Sequence, residues 1–375
     1  REVAKFMNTK TFDKLKQFHR REALVELLDA LFVTLVRVVF SDELSHVSLW
    51  TLSTDISPDS REGFVTCVFI FLTTCKDFCL DLPFELYSRY VGMGSDLEET
   101  LQELSLLFCA KLVSQMFFFN CFVWLCHAVS NVSNIYIILS LLVLIVGLKY
   151  VQEVLLFYPF IENNNQPLMN RTVLKQLRPF LRRMNFSKNQ IFVYDDDGDA
   201  NAFTIGHEIF NNQKVFVGES IVDRSKTFTN NEGASIIMHE LGHVYYNHTT
   251  QDTINDILVF SAYWILFFLF HQHVQLESFG FTSTLPMVAS ILVRMDLLVF
   301  FNLSSHFFII TTYREEELQA DQFSYLFNQR HYRTALIKLH IYEPQFPVHD
   351  RWYSMWMHGH PSLVDRLDYL SASEK

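Results

Sequence analysis

The sequence predicts a mainly α-helical, polytopic membrane protein that also carries a polar unit with a small β-sheet. Three observations predict it. Of the 375 residues, 50% are hydrophobic and 37 are phenylalanine, while only 19% are charged, below the roughly one quarter usual in soluble domains. Apolar stretches long enough to enter a bilayer recur along the chain. Between Glu162 and Thr250 the character changes, and polar residues and short alternating runs take over.

The apolar stretches are Leu24–Phe40 (interrupted by Asp29 and Arg37), Phe64–Leu80 (with Lys76 and Asp77 near its end) and Leu104–Val129 (with Lys111). Ile135–Leu148 continues through Lys149 and Glu153 to Ile161, Ile257–Phe270 carries no charge, and Leu285–Ile310 holds Arg294, Asp296 and His306. A spanning helix needs about 20 mostly apolar residues, so the expectation is six spans. Lys111, Lys149, Glu153, Arg294 and Asp296 either face polar space enclosed by the spans or mark span ends and snorkel to the interface. The six cysteines, Cys67, Cys75, Cys79, Cys109, Cys121 and Cys126, lie inside apolar runs and read as small buried hydrophobes. Cys75 and Cys79, at helical spacing, also admit a metal or redox pair. The chain starts at Arg1, and its polar first 21 residues hold no signal-peptide core, so a preceding segment is expected.

In the polar part, Glu162–Gln166 is a break and Thr172–Met184 has helical character. Gln190–Tyr194 and Lys214–Val217 read as short strands, Phe203–Ile205 as a third, and Asn211–Gln213 as the turn of a hairpin. Asn230 or Asn231 is placed to cap a helix running to about Asn247. The formal net charge of −11 argues against a nucleic-acid partner, which requires a basic footprint.

That last helix contains His239-Glu240-Leu241-Gly242-His243, the H-E-x-x-H pattern. Residues i and i+4 share a helix face, so both imidazoles can reach one Zn²⁺. Glu240 beside them is placed to take a proton from a water activated by the metal. Catalytic zinc needs a third protein donor. The extended motif that would supply one downstream fails, because position 246 is Tyr and position 249 is Thr; His248, five residues past His243, reads as off the ligand face. The acidic segment from Glu315 to Asp321 offers Glu317 and Asp321 at i,i+4. Glu317 would then bind the metal while Asp321 receives an N–H from a ligating histidine, and Ala320 permits close helix approach. Taken alone, that segment reads more readily as a solvated helix start.

Together these residues resemble the type I CaaX prenyl proteases over nearly the whole chain. The similarity is carried by Leu82–Ser88, Tyr158-Pro159, Pro167-Leu168, Asn201-Ala202-Phe203, His239–His243 with Asn247-His248-Thr249, and Phe279-Gly280-Phe281. It continues in Glu317–Asp321, Phe346-Pro347-Val348, Trp352, Ser354-Met355-Trp356 and His360–Leu367. The resemblance implies a ring of seven spans around a water-filled chamber, with a zincin-like catalytic domain and small sheet as its cap. It implies one Zn²⁺ per chain held by His239, His243 and Glu317, Glu240 as general base, and Asp321 behind the ligands. His360 and Arg366 would contact substrate or the developing oxyanion, and Asn201 and Ala202 would lie on a strand edge that receives the peptide. The implied substrates are farnesylated proteins, cut after the modified cysteine in the membrane of the endoplasmic reticulum, with the nuclear membrane as a second location and lipid as a constant partner. The corresponding organisation is membrane helices over 1–162, a catalytic segment with the sheet and H-E-x-x-H helix over 163–250, a membrane pair over 251–312 and a second catalytic segment over 313–375. A membrane quality-control zinc protease and an inactive membrane scaffold stay open beside it.

The chain also departs from the family. Where the family is basic and Ser-rich, this chain has Asp195-Asp196-Asp197-Gly198-Asp199, which fails the Ca²⁺-loop pattern at Ala200 and Gly206 and reads as a solvated loop favouring basic peptides. The stretch between Val217 and Asn231 is short, Val91–Ser95 is altered, and the first family span has no counterpart.

Overall fold

The structure is a computed structural model and describes residues 9–39, 42–56, 62–87, 89, 96–128, 139, 143, 147, 165–196, 200–222, 227–270, 286–342 and 347–372. Apart from Leu139, Val143 and Gly147, the expected span over Ile135–Ile161 falls outside these residues, as do Asp197–Asp199, Phe279–Phe281 and Val91–Ser95. The chain divides into two compact units, residues 16–140 with 263–300, and residues 1–15 with 141–262 and 301–375.

The first unit is built on α1 (Thr9–Val39), which begins in the other unit, α2 (Asp42–Ile56), α3 (Glu62–Leu86) and α4 (Leu97–Ala128). Helix α3 packs between α2 and α4. Buried Trp50 meets Phe69 edge-on at 5.5 Å. Cys67, Cys75, Cys79 and Cys109 are free thiols. Among the described residues no helix is long and apolar enough to cross a membrane, so these helices do not of themselves display the six expected spans. Their charges show why: Lys76, Asp77, Asp81 and Glu85 crowd the second half of α3, and α1 carries charges along its length.

The second unit holds the polar fold. It runs β1 (Gln166–Pro167), α5 (Arg171–Arg183), β2 (Ile191–Tyr194), β3 (Ala202–Ile205), β4 (Lys214–Gly218), α6 (Glu219–Val222) and α7 (Asn230–Tyr246). There follow α8 (His248–Phe270) and α9 (Pro286–Phe327), whose residues 263–270 and 286–300 belong to the first unit, then α10 (Gln329–Tyr342), α11 (Arg351–Met357) and α12 (Leu363–Ala372). The sheet order is β1-β2-β4-β3, with β2 and β4 parallel and β3 antiparallel at the edge. Alternation gives the sheet two working faces. Ile191, Val215 and Val217 point into a core shared with Val173, Leu177 and Leu181 of α5 and Ile237, Met238 and Leu241 of α7. On the opposite face Phe203, Phe216 and Phe192 stack in register across three strands, at 5.2 and 5.3 Å. The three expected strands form; the two-residue β1 was too short to leave a periodic signal.

Helix α5 starts on Asn170, whose side chain accepts from the amides of Thr172 and Val173. Helix α7 starts on Thr229, not on the expected Asn230 or Asn231. The Thr229 hydroxyl and the Glu232 carboxylate exchange hydrogen bonds with each other's amides, a capping box that outcompetes a lone Asn cap. Glu232 also accepts from Lys338 of α10 at 2.7 Å. The helix ends at Asn247 in the left-handed conformation, φ 59°. Residues Glu232–Gly242 are buried on every face, so α7 is the central rod of this unit.

One close approach sets the site. A Cβ on Gly242 would lie 3.0 Å from Ala320 Cα, 3.2 Å from Phe323 Cβ and 3.3 Å from Ala320 Cβ, so α7 and α9 touch almost backbone to backbone. The Ser324 hydroxyl donates to the Ser235 carbonyl across the same contact at 2.6 Å. Gly242→Val should push the helices apart at a cost of about 1–3 kcal/mol. It should strip bound metal, whereas Leu177→Ala, a core cavity worth about 2–5 kcal/mol, should not. Thermal denaturation alongside metal content checks this, and full metal occupancy in Gly242→Val would refute it.

Candidate metal centre

The helical spacing of His239 and His243 aims both rings at one point, and Glu317 of α9 reaches it from across the Gly242 contact. The Nε2 atoms of the two histidines are 3.3 Å apart. Glu317 Oε2 lies 3.4 Å from His239 Nε2, and Oε1 lies 3.5 Å from His243 Nε2. Donors about 2.0–2.2 Å from one tetrahedral ion sit about 3.3–3.5 Å from each other, so the two nitrogens and the Glu317 carboxylate have the spacing of three ligands to one ion. These residues are the group of metal-binding type found among the described residues. Glu317 Oε2 is buried, and its neighbours His239 Nε2 and Arg366 Nη2 stand at 3.4 and 3.3 Å without ordinary hydrogen-bond geometry, as suits an oxygen with lone-pair capacity left for a cation. Two imidazoles and a carboxylate suit zinc.

Behind the triangle, Asp321 is fully buried and grips Arg366 through two hydrogen bonds, Nε to Oδ2 at 2.7 Å and Nη2 to Oδ1 at 2.5 Å. The Tyr332 hydroxyl donates to Asp321 Oδ1, and His239 Nδ1 lies 3.2 Å from the same oxygen. Arg366 Nη2 also stands 3.3 Å from Glu317 Oε2. The guanidinium is therefore turned towards the two carboxylates. His360 Nε2 is 3.2 Å from Glu317 Oε1, and its side chain is exposed at the rim.

Glu240 is buried beside the triangle. Its Oε2 accepts from the Thr204 hydroxyl of β3 at 2.9 Å, which ties the acid to the edge strand. A cavity of about 470 Å³ joins these groups, lined by Asn201, Ala202, Thr204, Glu240, His360 and Arg366 among others. Asn201 Oδ1 accepts from the Ala202 amide at 2.8 Å, and Ala202 opens the edge strand. All nine residues singled out in the sequence thus converge on one cavity or on the residues bordering it. Three others do too: Thr204, Tyr332 and His248. The His248 ring sits 2.9 Å from His243 Nδ1, behind a ligand rather than on the ligand face. Outside the cavity, Asp196 of the acidic loop is tied to the Ser220 hydroxyl at 2.5 Å, so that part of the loop is anchored rather than freely solvated.

The electrostatics follow from burial against charge. With no metal, burial works against a proton on His239, but hydrogen bonds to Asp321 and Glu317 overcome it and push its pKa up to about 10. Burial, reinforced by that neighbouring charge, holds His243 at about 3. Asp321 is held at about 2, because Arg366 outweighs the burial that opposes its ionisation. Burial pushes the Glu240 carboxyl above the usual range despite the charge on His239. The proton on His239 occupies the position a metal ion would take.

A mainly helical unit with a small mixed sheet, a three-donor site on two touching helices and a buried glutamate beside it define a metalloendopeptidase. The chain belongs to peptidase family M48, which matches residues 167–374. It is 27% identical over 346 residues to a protein of Schizosaccharomyces pombe named probable CAAX prenyl protease 1, covering 86% of this chain and 67% of that one. It is 26% identical over 217 residues to the CAAX prenyl protease 1 homolog of Oryza sativa, covering 56% of this chain and 50% of that one. For the Homo sapiens homolog the figures are 30% over 149 residues, 39% and 31%. The chain thus spans from about a third to two thirds of the length of these relatives. Its fold is similar to the crystal structure of S. mikatae Ste24p, with a TM-score of 0.75 at 20% identity over 97% of this chain and 90% of that one.

Breaking the buried pair by Arg366→Met leaves Asp321 with only Tyr332 and His239 as partners, and should cost about 3–5 kcal/mol. Arg366→Met with Asp321→Asn should recover part of that loss. Denaturant unfolding reads both, and a double variant less stable than Arg366→Met would contradict the assignment.

Proposed function

We propose that this chain is a zinc-dependent endopeptidase of the membrane that cleaves prenylated CaaX proteins, removing the C-terminal tripeptide after the modified cysteine. The observation that carries the reading is the His239–His243–Glu317 triangle with Glu240 buried beside it. The names of the relatives supply the substrate class. The endoplasmic-reticulum membrane, the ring of spans and the division at 162, 250 and 312 belong to the same proposal. They are supported by the apolar composition of the first half and by the likeness in fold.

When bound, zinc supplies a Lewis acid that polarises the scissile carbonyl and makes water nucleophilic near neutral pH. The remaining work falls to side chains. Strand β3 is an edge, so an extended peptide can pair with it and lay one carbonyl over the triangle. Glu240, steadied by Thr204, takes a proton from the attacking water and hands it to the leaving amide nitrogen. His360, exposed at the rim, is placed to donate to the developing oxyanion. Arg366 acts from behind, keeping Asp321 ionised and Glu317 turned to the site. Tyr332 and Asp321 hold the His239 ring.

Purified full-length chain with a farnesylated peptide tests the proposal. Cleavage should vanish with a strong chelator and return with Zn²⁺. Glu240→Gln should lower turnover by about 10²–10⁴-fold with zinc content unchanged. Equal cleavage of an unprenylated peptide would point to a quality-control protease, and Glu240→Gln as active as the parent would end the mechanism.

A further inference from the structure

We infer that His248 is a positioning residue for the metal: backed by Gln319, it fixes the tautomer of His243 and so presents the Nε2 lone pair to the ion. The inference rests on reading His239, His243 and Glu317 as the metal donors.

His248 opens α8 directly after the left-handed Asn247, whose turn brings the ring back behind His243. The ring is 2% exposed, is stacked by Tyr246 at 5.6 Å and meets His243 edge-on at 4.9 Å. Its Nδ1 lies 2.9 Å from His243 Nδ1, and its Nε2 lies 3.2 Å from Gln319 Oε1. An amide oxygen only accepts, so Nε2 of His248 carries the hydrogen. A neutral imidazole has one N–H, which leaves Nδ1 of His248 as a lone pair. Only a hydrogen on His243 Nδ1 can answer that lone pair at 2.9 Å. With its hydrogen on Nδ1, His243 has a bare Nε2, the atom 3.5 Å from Glu317 Oε1 and 3.3 Å from His239 Nε2.

The two ligating histidines are therefore oriented by different means. His239 is backed by a carboxylate, Asp321, and His243 by a neutral ring. Asp321 comes from α9 directly, and His248, on α8, is braced by Gln319 of α9. One helix thus supplies a donor, the group that orients a second donor and the group that braces the ring behind the third. Partners that orient a ligating histidine are typically worth about 10–100-fold in metal affinity.

The test is Zn²⁺ affinity of the full-length protein in detergent, measured by competition with a chromogenic chelator. His248→Phe keeps the ring and removes the acceptor, and should weaken Zn²⁺ binding by about 10–100-fold. His248→Asn places Oδ1 near the position of Nδ1 and should bind close to the parent. Gln319→Leu should weaken binding less than His248→Phe, and the two together no more than His248→Phe alone. Circular dichroism of each metal-free variant controls for folding. Parental affinity in His248→Phe, or equal loss in His248→Asn and His248→Phe, would overturn the inference. A parent chain that binds no Zn²⁺ would instead overturn the reading of the three donors.

Discussion

The arrangement around the metal centre depends on how buried negative charge is answered. Glu317 and Asp321 sit one helical turn apart in a region closed to water, and Glu240 lies beside them. One permanent cation, Arg366, is in contact with the first two. An isolated buried carboxylate is too costly to persist, so the cluster calls for further positive charge. Hydrogen bonds to Asp321 and Glu317 favour a proton on His239, and burial favours one on Glu240, so both groups act to reduce the negative charge of the cluster. His360 adds a further partner at the rim, 3.2 Å from Glu317 Oε1. A divalent ion held by His239, His243 and Glu317 would answer the same charge.

This balance explains why so much of the unit is committed to geometry. A carboxylate a few tenths of an ångström out of place would be unpaired, so α7 and α9 are pressed together at Gly242 and Ala320 and pinned by the Ser324–Ser235 bond. The helix carrying both histidines is buried all round, which leaves it no freedom to rotate. Its first turn is fastened by Thr229, Glu232 and Lys338. Such rigidity supports preorganisation, in which donors already hold the positions the reaction needs.

What the sequence disclosed follows the same physics. His239, Glu240, His243, Glu317 and Asp321 were legible because each pair lies within a single helix turn, where spacing alone dictates a shared face. The strands over 191–194, 202–205 and 214–218 were legible from alternation. Thr204 and Tyr332 were not, since they reach the site from 36 and 93 residues away in sequence and carry no local mark. His248 was read as off the ligand face, where it does lie, but its seat behind His243 was not legible, because five residues along a continuous helix point elsewhere. Asn247 breaks the helix and folds the next residue back. The cap at Thr229 was available, since Glu232 three residues on is the partner a capping box requires. In the apolar first part, composition pointed to spans more plainly than the described residues of the helices do; in α3, Lys76, Asp77, Asp81 and Glu85 break the apolar run.

The two sides of the cavity divide the work. The metal side is buried, neutralised and immobile. The opposite side consists of the free edge of β3, the rim residue His360 and the start of the strand at Asn201 and Ala202, all more exposed than the triangle. Of these groups His360 is in contact with a buried carboxylate, Glu317, so its charge bears on the cluster inside. Two contacts link the sides: His360 to Glu317 at 3.2 Å, and the Thr204 hydroxyl to Glu240 Oε2 at 2.9 Å. On the proposed reading, a peptide added to β3 would bear on the strand whose Thr204 steadies Glu240, so that seating the substrate and orienting the proton acceptor would draw on the same element.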